Sequence, residues 1–119
     1  MTILTSLKIF FREIKTVIST PTFIILTILG NALIGTVGFI FFWLEQGINP
    51  NLHSLIDAIW WAFATATTTG YGDIVPISTA GKIVGIFLML VGTALFAMFT
   101  GLFAEAILTN EHLGQNKKD

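Results

Sequence analysis

The chain has 119 residues, 54% of them hydrophobic and only 11% charged, with a net charge of −1 and no cysteine. So few Lys, Arg, Asp and Glu cannot cover the surface of a soluble domain of this length, and a balance near zero gives no support to a nucleic-acid partner. Without cysteine there are no disulfides and no thiolate chemistry, and the compartment stays open.

Ile3, Leu7, Phe10, Ile14 and Val17 recur at helical spacing with Leu4, Phe11 and Ile18 beside them, while Thr5, Lys8, Arg12, Lys15 and Ser19 keep the same period on another face. This predicts an amphipathic helix within residues 1–20, basic on one side and suited to the headgroup level of a membrane. The plainer alternative is a helical extension that only precedes a span, but its apolar face would then have no core to join. Charges mixed among the apolar residues, and no small-residue cleavage site after them, argue against a cleaved signal peptide.

Thr20-Pro21 reads as a helix start, with Thr20 as N-cap and Pro21 at the first helical position. From Pro21 to Leu44 there is no charge, and the stretch exceeds the roughly 20 apolar residues that cross a bilayer as a helix. An outer helix over 21–45 is expected. Asn31 is its one strongly polar side chain, Gly30, Gly35 and Gly38 offer surfaces for close packing, and Trp43 suits the interface.

A polar, turn-rich connection from Glu45 to Leu52 leads to Ser54-Leu-Ile-Asp57, an S-x-x-D start signal. The helix that follows, over 54–66, is too short to span. It gives way at 67–73, Thr-Thr-Thr-Gly-Tyr-Gly-Asp, where β-branched residues and glycines do not sustain a helix. A short helix followed by non-helical backbone between two spans predicts a re-entrant loop, which survives at membrane depth only if protein or water surrounds it. Pro76 then breaks the chain, Ser78 or Thr79 caps a second span over 78–109, and a polar tail occupies 110–119. That second span is long enough to imply tilt or extension beyond the bilayer.

Lys8, Arg12 and Lys15 precede the first span and Lys117 and Lys118 follow the second, whereas the segment between them has only Lys82 beside Glu45, Asp57 and Asp73. Both termini are expected on the cytoplasmic side, with the loop entering from outside.

The run Thr65-Ala-Thr-Thr-Thr-Gly-Tyr-Gly-Asp73 resembles the filter signature of potassium channels, and the likeness extends to Trp60-Trp61 before it and Asp73-x-x-Pro76 after it. With its flanking spans it covers about Pro21 to Thr109 and is similar to the two-transmembrane, pore-only family of prokaryotic type. The resemblance implies an all-α membrane protein assembled as a four-fold symmetric homotetramer in the cell membrane, selective for K+, with no cofactor besides the ion it binds and transports. It also implies that the carbonyls of Thr68, Thr69, Gly70 and Tyr71 line the ion sites, with Gly72 at the outer mouth.

The residues carry a physical case beside the resemblance. A dehydrated cation needs oxygens in place of its water, and identical strands offering successive carbonyls supply stacked rings of them. Aiming every carbonyl at one axis demands conformations that side chains resist, which Gly70 and Gly72 allow; Thr68 adds a hydroxyl at the inner end. If the glycines formed only a turn, Thr67-Thr-Thr would leave polar groups in hydrocarbon to no purpose.

Trp60, Trp61 and Tyr71 are expected to pack behind the filter, one tryptophan alternatively serving an interfacial belt, with the Tyr71 hydroxyl seeking a partner from a neighbouring subunit or helix. The short helix should aim its negative C-terminal end at the pore centre. Two positions depart from the family pattern. Thr69 stands where Val or Ile is common, and its hydroxyl needs a partner; Ala64 stands where some members carry a carboxylate that engages the Asp after the filter, so Asp73 is expected to use Trp61 or water.

In the second span, Met89 to Phe96 resembles the family's inner helix. Gly92 matches its hinge glycine, the alternative being close packing, which is the reading for Gly85 and Gly101. Thr93 and Ala97 are expected to face the cavity, with Phe96 or Phe103 narrowing it. Four copies of Glu105 would form an acidic ring at the inner mouth, a solvated helix end explaining the residue equally well.

No span carries repeated Arg, so no voltage sensor is expected, and the last ten residues cannot form a ligand-binding domain. The chain is either a minimal channel or a pore excised from a longer protein. His53 and His112 read as bystanders. A weakly selective cation channel is disfavoured by the intact Thr-x-Gly-Tyr-Gly run, a four-repeat transporter by the single repeat, and a non-conducting adaptor by the costly polar loop. No enzyme is expected, since no nucleophile, base and orienting group assemble here.

Overall fold

A computed structural model describes the backbone of residues 2–116 and the side chains of residues 2–109. Four helices follow in order: α1 (Ile3–Ile18), α2 (Pro21–Glu45), α3 (Leu55–Ala66) and α4 (Thr79–Asn116). Among the described residues, α2 and the Thr79–Thr109 part of α4 are long and apolar enough to cross a membrane, and α3 is a shorter apolar helix.

The boundaries follow from side-chain chemistry. Thr20 Oγ1 donates to Val17 O at 2.7 Å and accepts from Phe23 N at 3.3 Å, so one hydroxyl closes α1 and opens α2. Past Glu45, Gly47 takes φ 81°, the left-handed turn with which helices commonly end. Ser54 and Asp57 form a reciprocal capping box at the start of α3, and Ser78 Oγ accepts from Gly81 N to start α4. α4 runs past the end expected at Thr109 to Asn116, so the polar stretch from Asn110 begins as helix. Lys117 and Lys118, used above to orient the chain, and the side chain of His112 lie outside the described residues.

The chain forms two compact units. The first joins the residues up to Thr27 with those from Ala97 onward. Here Phe23 meets Phe99 and Phe103 edge to face, with centroids 5.4 and 5.7 Å apart. α1 turns its buried Glu13 and Val17 inward, and they share a cavity of about 200 Å³ with Phe103, Ala106 and Ile107 of α4. Glu13 pairs with the neighbouring Arg12 at 3.2 Å.

The second unit spans Ile28–Phe96 and seats the re-entrant segment. Its core joins Ile34, Val37 and Phe41 of α2, Ala58, Trp61, Ala62 and Ala66 of α3, and Leu88 of α4. Inside lipid, burying apolar surface brings little, so close fit carries the association. A Cβ on Gly38 would stand 3.1 Å from Ala62 Cβ and 3.3 Å from Ala58 O, which shows how near α2 comes to α3. Phe41 and Trp61 stack with centroids 3.6 Å apart and planes 13° from parallel. On α4, Gly92 abuts Ala66: a Cβ there would lie 2.5 Å from the Ala66 Cα and carbonyl oxygen. The helix passes through Gly92 unbroken.

Candidate functional site

Residues 67–73 leave the C-terminus of α3 as exposed, non-helical backbone. The departure is anchored by the carbonyls that any helix leaves unpaired at its end. Thr67 N and Thr67 Oγ1 both donate to Phe63 O, at 3.0 and 2.7 Å, Thr68 N donates to Thr65 O at 3.2 Å, and Gly70 N reaches Ala64 O at 3.0 Å. The strand is thus pinned to α3 on one side while its other side stays open.

Backbone hand alternates along the strand. Thr68, Gly70 and Gly72 have φ of 63°, 56° and 79°, and Thr69 and Tyr71 between them do not share the positive sign. Alternating signs of φ keep the stretch from coiling as a helix of either hand. Two of the three left-handed positions are glycines, which adopt that hand without penalty. Thr68 is the sole non-glycine with positive φ among the described residues, a conformation that costs about 1–2 kcal/mol. Thr68 stands at the α3 end of this stretch, directly after the Thr67 that closes the helix.

The aromatic residues behind the strand separate into two roles. Trp60 Nε1 donates to Asp73 Oδ2 at 2.9 Å, and the Trp60 ring stacks on Tyr71 with centroids 5.3 Å apart and planes 8° from parallel. Trp61 instead packs on Phe41 in the core. The partner of Asp73 is therefore Trp60, not the Trp61 or water expected from the sequence: adjacent helical residues point about 100° apart, and only one can face the strand. Thr69, whose hydroxyl needed a partner, has Thr67 Oγ1 at 2.9 Å. Because the Thr67 proton goes to Phe63 O, Thr67 accepts from Thr69, giving a two-step relay into α3.

A buried carboxylate near the site was not anticipated. Glu45, at the end of α2, is completely buried and accepts from Ile77 N at 2.9 Å, Ser78 N at 2.8 Å, Asn49 Nδ2 at 2.9 Å and the Ser78 hydroxyl. Asn49 Nδ2 also donates to Val75 O at 2.9 Å. Together they fasten the stretch just beyond the strand, Val75 to Ser78, to the end of the outer helix. The available signal was a lone acid closing an apolar span with Asn four residues later, across the turn that ends α2.

Asp57 sits at the N-terminus of α3, where the His53 N–H, together with the Ser54 hydroxyl and N–H, holds its carboxyl below the usual carboxylate range. The opposite end of α3 directs its negative pole toward the strand. Of the other expected site residues, Thr93 and Ala97 are exposed on α4, with Thr93 Oγ1 donating to Met89 O. Glu105 is exposed and borders a groove with Thr16, Thr20 and Thr109.

Comparison with known proteins places this arrangement in a group. The family model described as Ion channel matches residues 22–109. A voltage-gated potassium channel of Aeropyrum pernix is 47% identical over 53 residues, covering 44% of this chain and 18% of that protein. A cyclic nucleotide-gated potassium channel of Rhizobium etli is 31% identical over 98 residues, covering 82% of this chain and 26% of that protein. The chain therefore spans only about a fifth to a quarter of the length of these curated relatives. Among solved structures, the closed-state pore module of a voltage-gated K+ channel in lipid membranes superposes with a TM-score of 0.61 at 32% identity, covering 71% of this chain and 89% of that one.

Proposed function

The chain belongs to the Ion channel family, whose pattern it carries from residue 22 to 109, and from that premise we propose that it is the pore-forming subunit of a potassium-selective channel that works as a homotetramer. The observation that carries the reading is the alternating backbone of Thr68, Gly70 and Gly72 inside an intact Thr-x-Gly-Tyr-Gly-Asp run. One such strand cannot encircle an ion; four around an axis stack rings of carbonyl oxygen.

In this reading a K+ ion sheds water at the mouth beside Gly72 and passes between the carbonyls of Tyr71, Gly70, Thr69 and Thr68. The Thr68 hydroxyl closes the innermost site. The negative ends of four α3 helices offset the cost of a cation in low dielectric. Below lies a water-filled cavity lined by Thr93 and Ala97, and bending of α4 at Gly92 opens or closes it. Glu105 rings the inner mouth and concentrates cations. The pore sits in the cell membrane with both termini cytoplasmic, as the basic residues flanking the spans favour.

Membership of a channel family sets this chain apart from enzymes. A weakly selective cation pore is the competing reading. Purified chain in liposomes, tested for ion flux under opposed K+ and Na+ gradients, separates them: K+ flux with Na+ excluded is the expected result, and comparable flux of both ions overturns the proposal.

A further inference from the structure

The geometry points to a binding site for organic ammonium ions, compounds that join N–H donors to an apolar body, in the groove between α1 and α4. All of its lining belongs to the first compact unit, and the site does not depend on which ion the pore conducts.

The groove has a volume of about 420 Å³, within the range of roughly 300–1,000 Å³ that small ligands occupy. Thr16 and Thr20 contribute from the end of α1 and the turn after it, Glu105 and Thr109 from one side of α4, and Val17 and Leu102 supply apolar surface. Three of its four threonine hydroxyls have their protons committed to the backbone: Thr16 to Arg12 O at 3.0 Å, Thr20 to Val17 O at 2.7 Å and Thr109 to Glu105 O at 2.8 Å. A hydroxyl has one proton and two lone pairs, so these oxygens can accept from a ligand and cannot donate to it. Thr20 already takes the Phe23 N–H, which leaves Thr16 and Thr109 as the better acceptors.

Glu105 settles the sign of the ligand. Its carboxylate is exposed and in no ion pair among the described residues. No basic side chain is in the groove lining, and Arg12, one turn before Thr16, is held by Glu13 at 3.2 Å. The negative end of α1 and the positive end of α2 meet at Thr20 and offset one another. Acceptors beside one negative charge and an apolar surface call for a cation that donates hydrogen bonds and carries hydrocarbon. A primary ammonium meets all three demands. A quaternary ammonium has the charge and the hydrocarbon but no N–H, and an alcohol lacks the charge. In the proposed pore the same carboxylate borders the inner mouth, so an occupied groove would also lower the cation field there.

The test titrates the full chain, in neutral detergent, with phenethylammonium, phenethyltrimethylammonium and phenethyl alcohol. Binding is read by saturation transfer in NMR, with empty micelles subtracted. The primary ion should bind about tenfold more tightly than the trimethyl ion, the factor that one charge-assisted hydrogen bond confers. It should also exceed the alcohol by about fivefold, as an exposed charge allows, and that margin should shrink as salt is raised. Thr16→Val with Thr109→Val should remove the preference over the trimethyl ion, and Glu105→Gln the preference over the alcohol. Thr36→Val, which removes an exposed hydroxyl outside the groove that donates to Ala32 O, should change neither. Equal binding of the primary and trimethyl ions, or a double variant that keeps the preference, overturns the proposal. So does binding of none of the probes, the result expected if a second copy of the chain fills the groove.

Discussion

At Thr69 a polar atom has been placed where the family pattern has hydrocarbon, and the cost is met locally by donation to Thr67 Oγ1 at 2.9 Å. Thr69→Val keeps the β-branched shape and leaves Thr67 still donating to Phe63 O, so the backbone that would hold the ions is unchanged. The variant should lose about 1 kcal/mol of local stability and retain K+ selectivity, read as a bi-ionic K+/Na+ reversal potential; a potential collapsing toward zero would contradict this. Asp57 gives a prediction in pH. Its folded pKa is lowered, chiefly by the His53 N–H, so its contribution is complete above the ordinary carboxylate range and is lost as pH falls through the depressed value. The thermal midpoint should therefore drop on acidification below about pH 4, and Asp57→Asn should flatten that limb. The backbone-forming residues of the strand were legible because glycines at alternate positions announce a special conformation. Which of two adjacent tryptophans meets Asp73 was not, because that depends on how α3 is rotated against Phe41, a tertiary fact.

The helices themselves were largely readable, since Thr20-Pro21, Ser54-x-x-Asp57 and Ser78 each mark a start by a mechanism confined to a few residues. Two features escaped for opposite reasons. α4 outran its expected end because a polar composition does not by itself stop a helix, and Asn110 to Asn116 contains no proline. The Glu45 fastening escaped because its partners Ile77 and Ser78 lie 32 and 33 residues away, beyond any local pattern. Glu45→Gln would turn an amide N–H toward backbone donors, leaving at least one of them unpaired. A loss of about 2–4 kcal/mol is expected, measured as a fall in the thermal midpoint of the purified protein, and an unchanged midpoint would show that the carboxylate is dispensable. Gly92 is a case where one residue answers to two descriptions. Contact with Ala66 already accounts for its missing side chain, whether or not α4 also bends there.

On the scale of the whole molecule, a single chain leaves its strand, Trp60 and Tyr71 open, the last two 50% and 66% exposed. Copies gathered about an axis would cover them; from the sequence, four-fold assembly was expected through the resemblance to potassium channels and the oxygen count an ion requires. Glu105 belongs to this scale as well, since one exposed carboxylate is unremarkable and four around an opening create a field. Glu105→Gln should lower outward single-channel conductance at low ionic strength and matter little at high salt, where screening takes over; equal conductance at low salt would remove the ring from the account. The contacts that seat the loop, Phe41 on Trp61, Gly38 against Ala62 and Glu45 on Ser78, are all made within one polypeptide. A nascent chain can therefore park its own hairpin in the bilayer before any sister arrives. In the proposed tetramer, biogenesis would be the docking of prefolded subunits, and a subunit with a damaged lining would still enter the ring and silence it.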